Sequence, residues 1–114
     1  MSEVAARVVR SPDVPDGMIA RIVDELHPDQ LWLFGSRARG EAGADSDWDF
    51  MAVLRDGAPE QDLEIASVWK RLHDLRVQRV ELFTMTRSEF DAWKGSLGTL
   101  AEIVASTGVL VHGG

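Results

Sequence analysis

Asp47 and Asp49 stand two residues apart in Ser46-Asp47-Trp48-Asp49-Phe50. An extended backbone there turns both carboxylates to one face. Two ionised carboxylates that close repel each other, and a hard divalent cation relieves the repulsion. Upstream, Gly35-Ser36 directly follows the apolar run Leu31-Trp32-Leu33-Phe34. Glycine lets the backbone turn sharply and approach a phosphate closely, and Ser36 offers an amide and a hydroxyl to the same anion. Arg37 and Arg39 add fork-shaped donors for phosphate oxygens, or else are surface charges pairing with Glu41 or Asp45. Magnesium takes one or two carboxylates plus substrate phosphates, which is the donor set on offer. That combination suits phosphoryl or nucleotidyl transfer, where two cations about 3.5–4 Å apart neutralise phosphates and activate an in-line hydroxyl. A third carboxylate on a neighbouring strand would complete the site. Glu81 is the candidate, as metal ligand, general base or both, against the plainer reading of a surface-facing strand residue.

Elements must hold these groups in place. Met18, Ile19, Ile22, Val23 and Leu26 recur at helical spacing, so residues 16–26 read as an amphipathic helix that His27-Pro28 ends. Leu31–Phe34 reads as a strand buried on both faces, Ser36–Arg39 as one helical turn before Gly40, and residues 40–46 as a loop. Residues 47–54 alternate as a second strand, with Trp48, Phe50, Ala52 and Leu54 on one face and Asp47, Asp49, Met51 and Val53 on the other. Residues 60–76 read as the longest helix, with Ile65, Val68, Trp69, Leu72 and Leu75 on its apolar stripe. A third strand spans 79–85, turning Glu81, Phe83 and Met85 to one side. Thr86-Arg87-Ser88-Glu89 has the capping-box pattern and opens a helix carrying Phe90 and Trp93. A last helix over 99–106, a stop at Gly108 and an edge strand over 109–111 complete the series. Strands alternating with helices indicate an α/β class, one sheet covered by helices. Residues 1–14 read as a lead-in and 15–112 as a single domain.

Composition narrows the function. The 114 residues suit one domain, and 45% hydrophobic content supports a core without metal or disulfide staples. The absence of cysteine excludes thiolate zinc sites and thiol catalysis, and fits a cytoplasmic protein. Neither a signal peptide nor a membrane-spanning run of about 20 apolar residues is expected. A net charge of −7 argues against direct nucleic-acid binding, whereas a nucleotide carried with its metal, or a protein partner, remains compatible. His27, His73 and His112 follow no ligand spacing, and Trp32, Trp48, Trp69 and Trp93 read as core residues. Arg71, Arg76 and Arg79, interspersed with acids, read as a solvated helix face. A calcium loop fails because Phe50 takes the position its glycine needs; Glu41-Ala42 stands where a P-loop requires lysine and a hydroxyl.

The stretch Leu33-Phe34-Gly35-Ser36-Arg37-Ala38-Arg39-Gly40 followed by Ser46-Asp47-Trp48-Asp49-Phe50 resembles the signature of minimal nucleotidyltransferases in the DNA polymerase beta-like superfamily. That signature is Gly-Ser, ten residues (here 37–46), then Asp-x-Asp. The resemblance implies an α+β nucleotidyltransferase fold with a small mixed sheet, nucleotide binding at Gly35, Ser36, Arg37 and Arg39, and Mg2+ at Asp47, Asp49 and Glu81. It implies transfer of a nucleoside monophosphate, AMP from ATP, to a hydroxyl. Minimal members usually carry aspartate as third acid; some antibiotic nucleotidyltransferases resemble this chain in carrying glutamate. Similar domains are antitoxins of HEPN-type toxins, which implies such a toxin as partner, neutralised by adenylylation, often on tyrosine, or by binding, in a homo- or hetero-oligomer. This chain contains no tyrosine, so a tyrosine acceptor lies on another chain. A subunit modifying a small hydroxylated molecule is a further alternative.

Overall fold

A computed structural model of the chain describes residues 14–43 and 45–113; the lead-in expected over 1–14 lies outside them except for Val14. The elements are α1 (Met18–Leu26), β1 (Gln30–Phe34), α2 (Ser36–Arg39), β2 (Trp48–Leu54), a 3-10 turn (Glu60–Asp62), α3 (Ile65–Arg71), α4 (His73–Val77), β3 (Val80–Thr86), α5 (Arg87–Trp93), α6 (Leu100–Thr107) and β4 (Val109–Gly113). The strands form one mixed sheet in the order β3-β2-β1-β4. β1 pairs antiparallel with both β2 and β4, while β2 and β3 run parallel, joined by the α3–α4 crossover that parallel neighbours require. The expected α+β architecture, a small mixed sheet flanked by helices, is present.

The alternation read in β2 divides the core in two. Trp48, Phe50, Ala52 and Leu54 join Leu31, Leu33, Val80 and Leu82 beneath α1, α3 and α4, with Met18, Ile22, Leu26, Val68, Leu72 and Leu75. Met51 and Val53 face the other way, against Phe34, Phe90, Ala101 and Val104 from the α5–α6 side. Each fully buried side chain of this size contributes about 1.5–3 kcal/mol. Phe50, on β2, one of the two central strands, is the largest of the fully buried side chains, so its truncation leaves a large void. The capping box forms as expected: Thr86 accepts from the Glu89 amide and Glu89 accepts from the Thr86 amide. Gly108 ends α6 with ordinary φ, so its role is close packing: a Cβ there would lie 2.5 Å from the Val104 carbonyl oxygen.

Four expectations need correction. The helix over 60–76 is instead a 3-10 turn and two short helices, broken at Leu72 (φ −117°, ψ 26°). The Arg71 carbonyl, which a continuous helix would give to the Leu75 amide, accepts from Arg21 Nη2 at 2.8 Å, and the Leu75 amide donates to Leu72. Ile65 consequently sits at a helix start and is 62% exposed rather than on a buried stripe. Arg71 is not part of a solvated face either: it reaches Glu25 at 2.9 Å and the buried Asp62 at 2.8 Å. Trp93, the last residue of α5, is 54% exposed, and Phe90 takes the sheet-facing position. Smaller shifts move β2 and β3 one residue on, leaving Asp47 and Arg79 just ahead of their strands. Among the described residues, no helix is long and apolar enough to cross a membrane.

Candidate active site

The three acids meet at one end of the parallel β2–β3 pair. Asp49 lies directly opposite Glu81 in the register, and Asp47 precedes β2 by one residue. The Trp48 amide donates to the Arg79 carbonyl at 2.9 Å, which holds the two strand starts side by side while the Trp48 ring is buried on the opposite face. Asp47, Asp49 and Glu81 each offer a carboxylate oxygen, and these oxygens lie within 4.8 Å of one another. Asp49 is half-buried; the other two are exposed.

Gly35 closes the site from the β1 side. Phe34, the last residue of β1, pairs with Asp49, so the next residue passes directly over that carboxylate. Gly35 has φ 79° and ψ −160°, a region essentially reserved for glycine, and a Cβ built there would collide with Asp49 Oδ2. Ser36 begins α2 immediately after this corner and is half-buried.

The two arginines after Ser36 diverge. Arg37 donates from Nε at 3.1 Å and from Nη2 at 2.7 Å to the Ser46 carbonyl, and its guanidinium stacks 4.0 Å from the centre of the Trp48 ring. It fastens the far end of the 40–46 loop beside the acids. Arg39 pairs with Glu41 at 3.0 Å on the surface, and its charge still favours ionised Asp49. That pull loses: burial first, then the charges of Glu81 and Asp47, raise the Asp49 carboxyl above the ordinary carboxylate value. A crowded, partly desolvated trio of oxygen donors is suited to a hard divalent cation, and the residues present therefore fit the metal that the sequence implied.

Beyond Glu81 lies an open cleft lined by Asp47, Trp69, Arg76, Arg79, Val80 and Glu81. Arg79 Nε sits 3.4 Å from Asp47 Oδ1, and the Arg76 guanidinium lies 5.5 Å from the centre of the Trp69 ring. Sequence reasoning assigned these arginines to a solvated face. The alternation of Val80 and Glu81 placed Arg79 at the strand start, but its left-handed backbone (φ 63°) leaves no local signal.

Residues 17–105 match the nucleotidyltransferase domain family, and the chain belongs to that family. Among solved structures it is similar to a toxin–antitoxin crystallised with AMP-PNP, at 20% identity and TM-score 0.59, covering 89% of this chain and 75% of that one. It is also similar to a Sulfolobus solfataricus protein provisionally assigned as a nucleotidyltransferase, at 18% identity and TM-score 0.52, covering 96% and 83% of the two chains. At these identities the likeness is one of fold. No curated protein sequence matches.

Proposed function

We propose that residues 15–112 form a metal-dependent nucleotidyltransferase that moves AMP from ATP to a hydroxyl on a protein partner, acting in the cytoplasm as antitoxin to a HEPN-type toxin. The observation that carries the transferase reading is the placing of Asp47, Asp49 and Glu81 around one point with Gly35 pressed against Asp49. The toxin–antitoxin neighbour supports the partner assignment. Two Mg2+ ions held by the three acids would neutralise the phosphates and lower the pKa of the acceptor hydroxyl. Gly35 leaves room for the triphosphate to approach the strand end, and the Ser36 amide and hydroxyl hold its leaving portion, with Arg39 adding positive charge. Arg37 acts on the nucleotide indirectly, by fixing the loop. The acceptor oxygen bonds to the α-phosphorus, the bond from that phosphorus to the bridging oxygen breaks, and pyrophosphate departs with the electron pair. Glu81, exposed on the side away from Gly35, takes the hydroxyl proton.

The second reading is neutralisation by binding alone, favoured by apolar side chains on the outer surface: Trp93 is 54%, Leu97 91% and Ile103 40% exposed. Incubation with α-labelled ATP, Mg2+ and the co-expressed toxin separates the two. Label on the toxin that vanishes with Asp49→Ala supports transfer. Full neutralisation by the Asp47→Ala/Asp49→Ala protein would leave binding as sufficient.

A further inference from the structure

The sheet order places Gly35 on the β1 side of Asp49 and the Trp69–Arg76–Arg79 cleft on the β3 side. In-line displacement puts the entering hydroxyl and the leaving pyrophosphate on opposite sides of the phosphorus. With the leaving phosphates at the Gly35-Ser36 corner, the acceptor enters across β3, past Glu81. This step rests on the transfer reading given above. The cleft sets two arginines, Arg76 and Arg79, beside two carboxylates, Asp47 and Glu81. With a divalent cation on those carboxylates, the two guanidiniums are the charges left to meet an entering acceptor. Arg76 is exposed and held over Trp69, a posture that keeps its guanidinium at the cleft wall. Arg79 is exposed as well and keeps a left-handed backbone that an ordinary residue rarely adopts. Its ion pair with Asp47 at 3.4 Å is solvent-exposed and so weakly held, and a cation on Asp47 frees the guanidinium for another carboxylate.

We propose that this cleft is the acceptor subsite and that it selects a polypeptide segment in which acidic residues flank the modified hydroxyl, with Arg76 and Arg79 as specificity-determining residues. The arginines receive the acceptor's carboxylates while its hydroxyl reaches Glu81, where the bond to phosphorus forms and the proton is released as described. The carboxylates themselves undergo no chemistry.

The probes are three short fluorescent peptides, each with one tyrosine flanked on both sides by glutamate, glutamine or lysine. Their binding is followed by anisotropy in the presence of Mg2+ and an ATP analogue with a methylene between the α- and β-phosphates; AMP transfer is followed separately with ATP, and analogue affinity by calorimetry. The glutamate peptide should bind about ten-fold more tightly than the glutamine peptide. Arg76→Gln should reduce that difference and Arg76→Gln/Arg79→Gln should remove it, while analogue affinity stays within about two-fold. Arg76→Glu/Arg79→Glu should reverse the preference towards lysine. Equal binding of all three peptides, or weakened analogue binding in Arg76→Gln, would overturn the assignment. Acid-selective binding without transfer of AMP would uphold the cleft and count against the transfer reading; transfer without charge preference would do the opposite.

Discussion

Asp49 and Gly35 share one space: the glycine's missing side chain is where the aspartate's Oδ2 lies. Gly35→Ala therefore faces two penalties, a forbidden backbone region and a collision with a group proposed to hold metal. The variant should lose Mg2+–ATP affinity by at least about ten-fold and stability by about 1–3 kcal/mol. Calorimetric titration with Mg2+ and ATP, alongside thermal melting, measures both. Unchanged affinity would mean that the corner does not touch the nucleotide.

Arg37 offers a test of the difference between gripping a phosphate and fastening a loop. Arg37→Ala removes a charged hydrogen-bond donor from the Ser46 carbonyl and a cation–π contact with Trp48. A loss of about 1–3 kcal/mol in stability follows. In transfer assays kcat should fall, while ATP affinity changes less than about three-fold, because loop position affects the acids more than ground-state binding. A large loss of affinity with unchanged stability would return Arg37 to the phosphates.

Arg71 joins Glu25 and Asp62, and Asp62 is buried. Arg71→Leu strands that carboxylate without its partner, and the protein should lose about 2–4 kcal/mol. Urea unfolding measures it. The double variant Arg71→Leu/Asp62→Leu should recover part of the loss, since the unpaired charge goes too.

The Glu25 carboxyl is held below its ordinary value, chiefly by its hydrogen bond from Arg21 and then by Arg71, with burial opposing. A lowered folded-state value means that the unfolded chain binds more protons between the two values, so stability falls as pH drops through that window. Glu25→Gln should therefore melt below the wild type at pH 7, with the gap narrowing as pH falls from the unfolded value through the lowered folded one. A gap that is constant from neutral to strongly acidic pH would show that the charge of Glu25 contributes nothing.

What could be read beforehand was what the chain encodes locally. Gly35, Asp47 and Asp49 announce themselves by residue type and spacing, and the two-residue period of β2 and β3 was enough to turn Asp49 and Glu81 to the same side. The capping box at Thr86 was legible for the same reason. The partners of long cationic side chains were not. Arg37 finds a carbonyl nine residues away only after the loop has closed, and Arg21 reaches a carbonyl fifty residues downstream. Helical periodicity over residues 60–76 carries no trace of that distant donor, so the break at Leu72 was invisible. Trp93 was misplaced because hydrophobicity does not reveal which apolar residue of α5 faces the sheet.

The hydrogen that α3 would have taken from its own backbone comes instead from a guanidinium on α1. The bond ties the end of one helix to the face of the other, which couples their opening. Amide exchange along both should accelerate together when Arg21 is replaced by leucine, even though the two segments are far apart in the chain.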